Sequence, residues 1–498
     1  MLARASRSAA PSTVFAFLAL VATACSENGR PPHDSEQTGG VAGTSGASPS
    51  GGQAATGAMP ANGGVSASGG STNPHGGAAG SNSTVGGNDN GGFGGGTGGA
   101  PQGGSLQTGG AAGNAAGGTA AGGSAAGGTA TGGVSPTGGN AGTGGTMGTS
   151  PDPFVPGVAP AAARYFKKGI NLGNRLEAPN EGDWGGRILA TDFPFIASRG
   201  FDHVRIPIRF SGHALASAPY TIDAAFFARV DTVLDQAAQA NLAVVIDLHA
   251  YDDLAANVAA HRERFLSLWT QIAARYRNRP ETVAFELLNE PYAQLDTSWN
   301  ELSAAAIQVV RVTNPRRLLV IDSVYWADPS KLSVLTLPND ANLLVAVHAY
   351  EPKLFSFQGK EWMGPEFMTT GVIFPGPPSS PVTPVPEASA ASWARTWFDN
   401  YNSQPAATNP SGPATIAAQM AYITQYRNSS GRSVYNGEWG PQDGGAMDSR
   451  VRLVTLVREE CERAGVGWAI WEDPNNMKLF DSAANTWVTQ IVDALLPR

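Results

Sequence analysis

The 498-residue chain has only two cysteines, Cys25 and Cys461. One lies in the leader described below, so the folded part has no internal disulfide to form. Lys and Arg are missing from Pro31 to Ala163, and Phe93 is the only aromatic residue between Ser26 and Asp152. So little charge and apolar surface does not offset the entropy of ordering a backbone. Residues 26–153, mostly Gly, Ala, Ser and Thr, therefore read as a disordered linker. Runs such as GGTAAGGSAAGGTATGG are low-complexity repetition with no solenoid unit. A basic patch is missing too. The net charge of −8 is dispersed, which argues against a nucleic-acid partner.

What stands at the start reads as an export signal over residues 1–25. Arg4 and Arg7 supply positive charge, and Val14 to Ala22 is an apolar run too short to span a bilayer. It ends in Ala22-Thr23-Ala24-Cys25, which resembles a bacterial lipoprotein cleavage box. Lipid on Cys25 would anchor the chain, its one expected membrane contact, and the linker would hold the rest away from the bilayer. The expected location is the cell surface, the outer membrane or the exterior. The alternative is ordinary secretory cleavage with Cys25 incidental.

Residues 154–498 suit one large domain. Short apolar runs at 166–171, 203–208, 243–248, 283–287, 318–322, 343–347, 434–436 and 467–470 alternate with amphipathic stretches. The helical stretches include 224–240, 261–276, 299–312, 416–427 and 450–464. Eight strands in βα alternation predict a single (β/α)₈ barrel. An open doubly wound sheet is the alternative, but no glycine-rich phosphate turn follows the first strand. The chemistry-bearing residues Asn171, Asn174, Arg205, His249, Asn289, Glu290, His348, Tyr350, Glu438 and Trp471 fall near or just past strand ends, where barrels build their sites. Residues 351–413, rich in Pro and Trp, are too long for a simple connection and would wall one side of a cleft. Their portion 371–389 reads equally well as a poorly ordered insertion.

Two carboxylates at strand ends suit glycosidic cleavage, where one protonates the leaving oxygen and the other attacks the anomeric carbon or activates water. FELLNEPY supplies Glu290 and VYNGEWG supplies Glu438. Taken singly, each residue also has a plainer reading. Glu290 could be a solvated loop carboxylate, and Arg205 could simply pair with Asp202 or a barrel carboxylate. His249 and His348 could be core histidines or zinc ligands.

Together, GINLGNRLEAPNEGDWG, FDHVRIPIRF, VVIDLHAYDDL, FELLNEPY, VAVHAY, NGEWG and WAIWED resemble glycoside hydrolase family 5, in its bacterial endoglucanase/mannanase branch. The resemblance implies a retaining, endo-acting hydrolase of β-1,4-glucan such as cellulose, glucomannan or mixed-linkage glucan. It implies Glu290 as acid/base and Glu438 as nucleophile, supported by Arg205, His249, Asn289, His348 and Tyr350. Asn174, Glu177, Trp362 and Trp471 match sugar-binding positions. The expected partner is a β-linked poly- or oligosaccharide, with no cofactor or metal, acting as a monomer. Ala250 stands where the branch usually has His or Asn, and Asp473 where an aromatic is common, which opens the substrate preference. Endo-β-mannanase action, exo-action of the β-glucosidase type, a metal-dependent barrel hydrolase and a non-catalytic carbohydrate-binding lipoprotein are the alternatives.

Overall fold

The computed structural model describes residues 152–498, so the leader, Cys25 and nearly all of the linker lie outside the described residues. Eight parallel strands close into a barrel in sequence order. They are β1 (Lys168–Asn171), β2 (His203–Ile206), β3 (Ala243–Asp247), β4 (Val283–Glu286), β5 (Leu319–Asp322), β6 (Leu343–His348), β7 (Val434–Glu438) and β8 (Gly467–Ile470). All eight expected strands are present, and the boundaries differ from the expected ones by two residues at most.

Helices α1 (Asp192–Arg199), α2 (Ala224–Gln239), α3 (Val258–Tyr276) and α4 (Leu295–Arg311) follow the first four strands. Each lays an apolar stripe on the barrel, as Phe227, Val230, Val233, Leu234 and Ala237 do on α2. Its start is fixed by Asp223, whose carboxylate accepts the backbone N–H groups of Ala225 and Phe226. Between β5 and β6 there are only short turns of helix. The β6–β7 connection instead carries α5 (Ser392–Ser403) and α6 (Pro413–Ser430). α7 (Met447–Ala464) joins β7 to β8, and a small hairpin and α8 (Thr489–Leu495) close the chain. Residues 371–389 are packed, with Val372, Phe374 and Ala388 buried. The poorly ordered reading of that stretch is therefore corrected: its apolar side chains have a hydrophobic surface to cover.

Side chains alternate across each strand. On β3, Val244 and Ile246 belong to the outer core under the helices, whereas Ala243 and Val245 belong to the inner core. The same parity carries inward-facing Val245 to Asp247, Ala284 to Glu286, Val320 to Asp322 and Ala346 to His348. The lower barrel is thus filled by small apolar side chains, and the same rows become polar at the C-terminal rim. The β6–β7 register shifts by one at Val347/His348, so that His348 pairs with Glu438 and not with Gly437. This irregularity brings Glu438, three residues past inward-facing Tyr435, to the rim. Among the described residues, no helix is long and apolar enough to cross a membrane.

Candidate active site

The barrel mouth opens into a cavity of about 960 Å³. Ten of the residues expected to form a site line it: Asn174, Glu177, His249, Asn289, Glu290, His348, Tyr350, Trp362, Glu438 and Trp471. Arg205 lies beneath them and is fully buried.

All five guanidinium N–H donors of Arg205 are used. Nε and Nη2 donate to Glu286 at 2.8 and 2.5 Å, and Nη2 also donates to Asn289 Oδ1 at 2.8 Å. Nη1 donates to Asn171 Oδ1 at 2.9 Å and to Glu438 Oε1 at 2.7 Å. Asp247 adds a second buried carboxylate 2.7 Å from Nη2. Arg205 thus pairs with barrel carboxylates and not with Asp202, which instead meets His203 and the backbone of Lys168. A planar, permanently charged fork suits this role, because it meets several acceptors at fixed angles. Burial opposes its charge, but Glu286, Asp247 and Glu438 hold the guanidinium even further above its usual range.

The two carboxylates expected to do chemistry face each other across His348. Oxygens of Glu290 and Glu438 and a nitrogen of His348 lie within 4.8 Å of one another. Glu438 Oε2 accepts the Tyr350 hydroxyl at 3.0 Å while Oε1 is held by Arg205, so both of its oxygens are oriented. Burial and the neighbouring Glu438 charge keep the Tyr350 phenol well above its usual range, and it remains an O–H donor. His348 Nδ1 donates to Glu290 Oε1 at 2.9 Å and stands 3.7 Å from Glu438 Oε2. Burial lowers the affinity of His348 for a proton, but Glu438, Glu290 and Asp322 overcome it and push its pKa up to about 9.

His249 is fixed by Asp247 Oδ2 at 2.9 Å; burial lowers its pKa, but Asp247, Glu438 and Glu177 together raise it. The indole of Trp471 is aimed by Nε1–H donating to Asp473 Oδ2 at 3.1 Å. Asp473, an expected departure, therefore anchors the tryptophan beside it. Gly173 permits this packing, since a Cβ there would lie 2.2 Å from the Trp471 ring. Both oxygens of Glu177 accept backbone N–H groups, those of Asn174 and Arg175. Glu177 lines the cavity, but its oxygens shape the turn in which Asn174 takes φ 58°. Trp362 is 45% exposed, as a platform open to ligand would be.

Several cavity residues were not singled out from the sequence. Tyr325 and Trp326 enter from a left-handed turn after β5, at φ 56° and 58°. Trp393 and Trp397 come from α5, one turn apart on one face. Their Trp-rich segment was expected to wall the cleft, and it does so, but spacing alone did not say which indoles face inward. Buried Asp247, Glu286 and Asp322 were legible only as strand-end acids in phase with residues already chosen.

Residues 167–476 match the family model for cellulase, glycosyl hydrolase family 5. Endoglucanase H of Acetivibrio thermocellus is 26% identical over 339 residues, covering 67% of this chain and 33% of that protein. The chain thus spans a third of the length of that curated relative. A solved structure of Thermotoga maritima Cel5A with cellobiose is 34% identical. It covers 67% of this chain and 98% of that one, with a TM-score of 0.59. The same protein solved with mannotriose gives 34% identity, the same coverage and a TM-score of 0.57.

Proposed function

Because the chain belongs to glycosyl hydrolase family 5, we propose that it hydrolyses β-1,4-linked glucan within the chain, with retention of anomeric configuration. The observation that carries this reading is the pair Glu290 and Glu438. They come from the ends of β4 and β7 and hold carboxylate oxygens within 4.8 Å of each other. Retaining enzymes keep the two carboxyl groups about 5–5.5 Å apart, whereas inverting ones leave room for water at roughly 6.5–9.5 Å.

In the first step Glu290 protonates the glycosidic oxygen while Glu438 attacks the anomeric carbon, giving a glycosyl-enzyme. In the second, Glu290 removes a proton from water, which displaces Glu438 and releases the sugar. Arg205 and Tyr350 hold the attacking carboxylate in place. Asn289 has its amide oxygen committed to Arg205, which leaves its N–H₂ end to donate to a sugar hydroxyl. Trp471 and Trp362 offer flat apolar faces to the C–H side of pyranose rings. A panel of cellulose, mixed-linkage glucan, glucomannan and xyloglucan, read by reducing-end release and by the anomer first formed, tests this. An α-sugar as first product would overturn retention, and no release from any glucan would overturn the substrate class.

A second reading, β-mannan hydrolysis, is favoured by the similar protein solved with mannotriose. Ala250 lines the cavity here, and its small side chain leaves room for a changed hydroxyl orientation. Mannan in the same panel separates the two. We also propose export with lipid on Cys25, supported by the Arg4/Arg7 charge, the run to Ala22 and the Ala-Thr-Ala-Cys ending. Cys25→Ser should release the protein from a membrane fraction or leave it unprocessed. Unchanged partitioning would refute the anchor.

A further inference from the structure

The loop after β5 is stitched to the loop that carries Glu290. Asp322, the last residue of β5, accepts the backbone N–H of Glu290 on Oδ2 at 2.9 Å. Four residues on, Trp326 N–H donates to the Pro291 carbonyl at 3.1 Å. The Trp326 indole stacks on Tyr292, with centroids 5.3 Å apart and planes 16° apart. These contacts surround a backbone in an uncommon state: Glu290 has φ 47°. A residue with a Cβ holds that conformation only where its surroundings fix it.

Asp322 also reaches the side chain of Glu290. Its Oδ2 lies 3.7 Å from His348 Nε2, and His348 Nδ1 donates to Glu290 Oε1 at 2.9 Å. One fully buried carboxyl therefore bonds the main chain of Glu290 directly and lies, by charge and not by hydrogen bond, against the imidazole that holds its side chain. It does not line the cavity, so it does not meet substrate.

We propose that Asp322 is a positioning residue for Glu290: it clamps the left-handed main chain and, across His348, sets the direction of the oxygen that gives and takes the proton. The inference rests on Glu290 being the acid/base. Asp322 performs this role as a hydrogen-bond acceptor. Burial, followed by the nearby charge of Glu286, pushes its carboxyl well above the usual range, partly offset by His348 and Arg205. Its other oxygen, Oδ1, makes no hydrogen bond among the described residues. An amide has the same shape and keeps the acceptor, so Asn should substitute for it.

The test compares Asp322→Ala, Asp322→Leu, Asp322→Asn and Glu290→Ala on two substrates. One is an unactivated cello-oligosaccharide, whose leaving group needs protonation. The other is a dinitrophenyl cellobioside, whose leaving group does not. Asp322→Ala and Asp322→Leu should lose about 10²-fold in kcat/KM on the oligosaccharide, in line with a misplaced general acid. First-turnover release of dinitrophenolate should stay within about threefold of the parent, because attack by Glu438 is untouched. Asp322→Asn should match the parent on both substrates. Equal losses on both substrates would assign Asp322 to general packing and overturn the inference. So would full oligosaccharide activity in the Ala or Leu variant, or an Asn variant as impaired as they are. Glu290→Ala is the separate control: if it slows both substrates alike, the acid/base reading itself fails.

Discussion

The lower and upper halves of the barrel interior stand on the same strands and have opposite chemistry. Below, Ala243, Val245, Ala284, Leu318, Val320, Leu344, Ala346 and Ala469 pack together with Phe166. Above, the same inward rows end in Asn171, Arg205, Asp247, Glu286, Asp322 and His348, all buried. The lower half is held by area removed from water, which is forgiving of exact geometry. The upper half is held by one guanidinium amid several carboxylates, where losing one partner leaves another buried and unpaired. Removing a group below should therefore cost stability alone, and removing one above should cost chemistry first.

The sharpest break of that contrast is at the two carboxylates. Glu438→Ala leaves nothing to attack, and turnover should fall on the order of 10⁵-fold or more. Azide should fill the vacated space and give the α-glycosyl azide. Glu290→Ala should lose roughly 10²–10⁴-fold on unactivated glucan and give the β-glycosyl azide from a dinitrophenyl substrate. The same anomer from both variants would refute the assignment of roles.

Next come one large side chain from each half. Arg205→Met should abolish turnover and also destabilise the fold by about 3–5 kcal/mol, since Glu286 and Asp247 lose their counter-charge. Leu344→Ala should cost about 2–4 kcal/mol in chemical denaturation while the folded fraction keeps the parent kcat. A Leu344→Ala enzyme that is stable but slow would show that the lower core also tunes the site.

A smaller effect is the pH dependence of stability, which the upper half should dominate. The folded pKa of His348 is raised from an ordinary 6.5 to about 9. Its contribution is full below about 6.5 and is lost as pH rises through 9. Burial, against the pull of Arg175, raises Glu472 from 4.5 to about 7. An acid raised in the fold resists ionisation, so its stabilising effect also disappears as pH rises through 7. Both act in one direction, and the melting temperature should fall from pH 6 to pH 9. Glu472→Gln should remove the lower part of that fall and His348→Gln the upper part. A flat profile in the parent would contradict both shifts.

The smallest effect is expected at the exposed edge. Trp362→Ala should weaken binding of long oligosaccharides by about 0.5–1.5 kcal/mol and leave kcat on short ones unchanged. Equal small effects at all lengths would make Trp362 a packing residue.

Much of this was legible beforehand because its signals are local. Apolar runs separated by amphipathic stretches gave all eight strands, and the five expected helices appear with shifted ends. Strand-end phase agrees with His348 and Trp471, because side-chain parity persists just past a strand, whereas Glu290 was found from the FELLNEPY motif and sits on a left-handed backbone past Leu288 of the outer core. Glu438 was found from its motif, although the register shift at Val347/His348 moves it off simple parity. The helix ends were less legible: α3 begins at Val258 and not at His261, since its cap is Asn257, whose side chain accepts the N–H of Ala260.

The sequence by itself determined the βα alternation, the inward polar rows and the candidate acids, since each depends on periodicity or on a short motif. Tertiary structure alone decided which groups share a proton or a hydrogen bond. Asp322 meets Glu290 across 32 positions, and Arg205 meets Glu438 across 233. It alone turned Trp393 and Trp397 toward the cavity and gave the oxygens of Glu177 to backbone amides. The physical reason is that burial, charge balance and contact are collective properties of the closed barrel. They arise where strands distant in the chain converge, and no local pattern carries them.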